Sequence, residues 1–163
     1  MERLEFSRKL ARDAGRLAHS AFGQSATSMK GRHDVVTAMD REVERFIRKA
    51  IAAHKTIHLP MGYYVISDTL TLKPDTVLIG LHPLVTALVL LDKTESFQGV
   101  GPPKPMIEAP TGGTNVMIGL GVYTNGVNPR AVGVKWMAGK DSMMNDVRFL
   151  GGHGTNNLDG TRA

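Results

Sequence analysis

The stretch Thr56-Ile-His-Leu-Pro-Met-Gly-Tyr-Tyr-Val-Ile-Ser-Asp-Thr-Leu-Thr-Leu72, followed by Thr76-Val-Leu-Ile-Gly80, decides the fold. Four short apolar runs lie in it, at 56–59, 63–66, 70–72 and 76–80. Turn-formers separate them: Pro60-Met-Gly62 and Lys73-Pro-Asp75. Runs this short, rich in β-branched and aromatic residues, predict strands rather than helices.

The same pattern continues to the end of the chain. Further strands are expected at 87–91, 106–109, 115–120, 131–137 and 144–150. His82-Pro83, Asn125-Gly126, Asn128-Pro129 and Gly151-Gly152 punctuate them. No helical period intervenes, so an alternating β/α sheet is excluded. Three segments share a strand core and a glycine step: Thr76-Val-Leu-Ile-Gly80, Asn115-Val-Met-Ile-Gly119 and Asp146-Val-Arg-Phe-Leu-Gly151. Their spacing is uneven. Aliphatic inner positions with few aromatics favour a coiled solenoid over a sandwich.

Upstream of this region the composition changes. Residues 1–54 hold 11 Lys+Arg and 7 Asp+Glu, whereas residues 55–163 hold 9 and 8. All 8 prolines and 15 of the 18 glycines follow His54. The net charge of +5 therefore belongs mostly to the front third. Phe6, Leu10, Ala14, Leu17, Ala18 and Ala21 recur at helical spacing and predict a first amphipathic helix. A polar loop is expected at 24–33. Thr37, with Asp40 three residues on, opens a second helix as a capping box. Val43, Phe46, Ile47, Ala50 and Ile51 form its apolar stripe. Glu44 and Arg48 are read as an i, i+4 pair on its exposed face, stabilising by about 0.3 kcal/mol.

These features exclude several classes. The longest apolar run, 84–91, is far short of the roughly 20 residues a membrane helix needs. The charged N-terminus carries no signal-peptide pattern. The chain has no cysteine, which excludes thiolate chemistry and fits a reducing compartment such as the cytoplasm without deciding the location. Basic residues in the front third are interspersed with acids and lack stacking aromatics, so no nucleic-acid partner is expected. Gly139-Lys-Asp-Ser142 is not a phosphate loop, because Asp follows the lysine. The six histidines show no ligand spacing. Asp141, Asp146, Arg148 and His153 are the densest polar set of the strand region. They are the candidate catalytic residues, since paired carboxylates with a neighbouring arginine suit polysaccharide cleavage. Asp146 and Arg148 alternate on a strand and should point the same way.

Residues 55–163, through the opening stretch above, resemble the right-handed parallel β-helices of the pectate-lyase superfamily. That family typically opens with a helix, a "TIYFPxGxYxISxTLxL" pattern and an "xTxLIG" strand. The resemblance implies a mainly β fold: two amphipathic helices, then a short right-handed parallel β-helix, the second helix capping its first coil. It also implies a polysaccharide-acting parent of the glycoside hydrolase or lyase kind and an oligosaccharide ligand. A complete active site is not expected in this chain. An uncapped far end would invite self-association.

Residues 1–54 resemble a different family. Lys30, then Asp34-Val-Val-Thr37-Ala-Met-Asp40, is similar to the "DxVTxxD" element of inositol monophosphatases. That likeness implies a Mg²⁺-dependent phosphatase fragment with Lys30, Asp34, Thr37 and Asp40 near the site. No Gly-Glu-Glu segment is present. In Asn156-Asn-Leu-Asp-Gly-Thr161, the nearest match to the family's "DPxDGT", Asn156 replaces the first Asp and Asp159 is the one candidate metal ligand. A truncated or chimaeric chain without catalysis is the third expectation.

Overall fold

The computed structural model describes residues 27–29, 35–125 and 127–150. Two short strands, β1 (Thr27–Met29) and β2 (Val35–Thr37), pair antiparallel with Thr27 opposite Thr37. β1 stands where a polar loop was expected, and β2 follows that loop. The first expected helix lies outside the described residues. The second is present as α1 (Ala38–Ala53), beginning directly after Thr37.

After α1 the chain is β structure. All nine expected strands form: β3 (Thr56–His58), β4 (Gly62–Val65), β5 (Leu70–Thr71), β6 (Val77–Ile79), β7 (Thr86–Val89), β8 (Lys104–Ala109), β9 (Val116–Tyr123), β10 (Ala131–Trp136) and β11 (Met143–Leu150). Every pairing among them is parallel. No strand pairs with its sequence neighbour. Each meets one further along, so the chain circles back onto itself.

The register organises three stacks of inward side chains. Ile57 lies opposite Leu78, Leu78 opposite Met117, and Met117 opposite Met144. Tyr64, Leu88, Val122 and Phe149 form the second stack. Leu70, Ile107 and Val134 form the third. Aliphatic residues on like positions of neighbouring parallel strands bury each other, which is why the sequence needs so few aromatics. Most of these side chains belong to one continuous core. The last rung is open: Met144 is 40% exposed and Phe149 55%.

A bend separates the two halves of β9. Residues 116–118 pair with β6, residues 121–123 with β7, and β11 follows both halves. The corner is Gly119, at φ 65°. A Cβ there would lie 2.7 Å from the Gly80 carbonyl, and one on Gly80 only 2.3 Å from the Gly119 carbonyl. Only glycines let the two backbones cross this closely. Asp146, at φ 48°, turns the same corner in β11; Asp tolerates that region better than most residues.

The register also corrects the repeat reading. Val77 and Val116 do stack. The third segment is displaced, because Met143, not Val147, lies opposite Val116. The three segments therefore do not share one register.

At the opposite end, α1 covers the β3–β4 edge. Ile47, Ala50 and Ile51 join the core with Ile57 and Leu59. A polar clasp fixes the helix. Arg48 donates to Glu44 Oε1 through Nη2 at 2.6 Å and Nε at 3.1 Å. It also donates to the Asp68 and Thr69 carbonyls, each at 2.7 Å. Ser67 Oγ donates to Glu44 Oε2 at 2.7 Å. Glu44 is thus buried, at 6% exposure. This corrects its sequence reading as half of an exposed pair: the Ser67–Thr69 turn folds over it.

Candidate functional site

The outward face of the curled sheet is built from the residues that alternate with the core stacks. Tyr63 lies opposite Ala87, Ala87 opposite Gly121, and Gly121 opposite Arg148. The next outward row is Val65, Val89, Tyr123 and Leu150. Two small residues in the middle of the first row, both buried, form a low floor that the neighbouring side chains cover. Large side chains stand on either side of it.

Tyr63 and Tyr123 meet across this floor. Their ring centroids are 6.1 Å apart and the planes cross at 65°, an edge-to-face pair. The floor has to be small: a Cβ on Gly121 would sit 3.0 Å from the Tyr123 ring and 2.4 Å from the Pro83 carbonyl. Tyr63 is 61% exposed and is oriented by its hydroxyl, which donates to the Leu84 carbonyl at 2.9 Å. Burial, followed by the neighbouring Tyr63 hydroxyl, raises the Tyr123 pKa; the Arg148 charge opposes both. The register sets Arg148 beside Gly121, at the edge of this floor.

Exposed apolar residues border this face in sequence and in space. Met61 and Leu84 flank Gly62 and Val85, whose backbones are joined by a 2.8 Å hydrogen bond. Leu81 is also exposed, and its N–H is held by Thr86 Oγ1 at 3.2 Å.

The sequence candidates fare unevenly. Arg148 lies beside the platform. Asp141 is exposed in the turn between β10 and β11, and Asp146 is exposed at the corner. The expected alternation of Asp146 with Arg148 is interrupted, because the positive φ of Asp146 breaks the pleat between them. His153 lies outside the described residues, as do Lys30, Asp34 and Asp159. Thr37 ends β2 and Asp40 sits in the first turn of α1. Among the described residues, no group of three or more His, Asp or Glu could hold a metal ion.

Nothing in the sequence singles out Tyr63 and Tyr123. Each reads in sequence as one more strand aromatic. Only the register brings together two residues sixty positions apart. No helix among the described residues is long and apolar enough to cross a membrane. No family model, curated protein or solved structure matches the chain.

Proposed function

We propose that residues 55–150 form a short right-handed parallel β-helix and that its outward face binds an oligosaccharide between Tyr63, Tyr123 and Arg148. The chain is then a module of a polysaccharide-acting protein of the pectate-lyase kind. Three parallel ladders of successive turns support the architecture. Parallel crossovers are right-handed in nearly all proteins, which supports the hand. The opening-coil pattern at 56–80 points the same way.

The single observation that carries the ligand class is the Tyr63–Tyr123 pair above Ala87 and Gly121. A sugar ring has one apolar C–H face and a hydroxyl rim. Aromatic faces beside an exposed guanidinium complement that shape. Asp141, Asp146 and His153 remain the candidate acids and bases of such a protein. No observation among the described residues favours the magnesium phosphatase reading: after Lys55 the strands follow one another without an intervening α-helix.

A glycan array followed by calorimetry tests the proposal. Binding to a glucan or pectin oligosaccharide is expected, with Tyr63→Ala weakening it roughly tenfold, the fold-change of one aromatic contact of about 1.4 kcal/mol. Because Tyr63→Ala also removes the Tyr123 ring contact and the Leu84 hydrogen bond, its melting midpoint is measured alongside and binding is read well below it. An array blank for every glucan and pectin would sink the reading.

A further inference from the structure

A separate feature lies between α1 and the turn that precedes β5. It is an open cleft of about 570 Å³, within the size range of small-molecule sites. Arg41, Glu44, Arg45 and Arg48 line one wall. Their spacing of three and four residues puts them on one helix face. Asp68 and Thr71 are on the other wall.

The charges in this cleft do not cancel. Arg48 is saturated by Glu44 and two carbonyls. Asp68 is neutralised separately, by Lys104 Nζ at 2.7 Å. Partial burial pushes the Asp68 carboxyl upward, yet Lys104, the Thr69 N–H and Arg48 together hold it below the usual carboxylate range. Each acid thus has its own cation. Two guanidiniums are left over. Arg45 makes one long bond, from Nε to the Arg41 carbonyl at 3.4 Å. Arg41 has no acidic partner among the described residues.

We propose that this cleft binds a small molecule carrying a tetrahedral oxyanion with three terminal oxygens, a phosphate or sulfate monoester, held between Arg41 and Arg45. Guanidinium forks engage such oxygens two at a time. Side chains one helical turn apart have Cβ atoms about 5–6 Å from each other, so two forks can close on one group. The three terminal oxygens of such a group can serve both forks; a lone carboxylate satisfies one. The cleft volume leaves room for the body of an ester beyond the anionic group. The Thr71 hydroxyl is at hand for that body. This site shares no residue with the tyrosine platform and stands without the saccharide reading.

Calorimetry on the full chain tests it with glucose 6-phosphate, glucose 6-sulfate and glucose. The buffer is kept near 0.01 M ionic strength, where the screening length is about 30 Å. Saturable one-to-one binding of at least one ester and none of glucose is expected. Arg41→Ala/Arg45→Ala should weaken it by about tenfold or more, in keeping with the loss of charged hydrogen bonds. Lys49→Ala/Lys140→Ala removes two exposed cations that do not line the cleft and should change affinity less than about twofold. If the alanine pair lowers the melting midpoint, Arg41→Lys reads the same loss through the bidentate contact alone. The ester bound more tightly identifies the source of the anion. Absence of saturable ester binding, or equal weakening in the two double variants, would overturn the proposal.

Discussion

The Tyr64 hydroxyl donates to the Pro60 carbonyl at 2.9 Å, and burial pushes its pKa up to about 12. The neutral phenol is the form the fold accepts. An unfolded tyrosine ionises near pH 10. The folded value is higher, so the stability linked to Tyr64 is complete below about pH 10. It is lost as pH rises from about 10 through about 12. Alkaline spectrophotometric titration should contain a phenol component near pH 12 that Tyr64→Phe removes. The same variant should flatten the fall in stability over that window. A titration with no component above the ordinary phenol range would contradict this assignment. None of this is legible in the sequence, where Tyr63 and Tyr64 are adjacent and alike. Alternation on β4 sends one ring outward and the other against the core.

At the scale of the element, α1 is where sequence and structure diverge most in energy. Its apolar stripe was legible, because Val43, Ile47, Ala50 and Ile51 keep a helical period whatever they pack on. The worth of Glu44 was not. An exposed i, i+4 pair contributes about 0.3 kcal/mol. In the fold Glu44 is buried and serves two donors, Arg48 and Ser67. Glu44→Ala is expected to cost about 1–3 kcal/mol, as for a buried charged hydrogen-bond partner removed. Urea denaturation checks it. A cost near 0.3 kcal/mol would return the pair to the surface. Burial of Glu44 depends on the Ser67–Thr69 turn, twenty-odd residues away, which no local pattern could announce.

Across the whole molecule, side-chain burial runs from complete in the middle rungs to open at the last one. Methionines report the contrast between the core and the surface. Met106 and Met117 are fully buried, while Met61, Met137, Met143 and Met144 are exposed. Brief peroxide treatment followed by peptide mass spectrometry should oxidise the exposed four at least about tenfold faster, since thioether oxidation follows access. Comparable rates at Met117 and Met144 would mean that the inner stack does not close as described.

The sequence by itself determined the nine strands, the apolar stripe of α1 and the break near His54. Each is a local property: period, turn chemistry and composition act over a few residues. The tertiary structure alone decided which strand lies on which. That choice paired Tyr63 with Tyr123, left Arg41 and Arg45 over a cleft, and made Asp146 a corner rather than a strand partner of Arg148. The reason is physical. Register is a relation between segments separated by loops of unequal length, and it is selected by the mutual burial of stacked aliphatic side chains. Sites built across that register exist only once the stacks have formed.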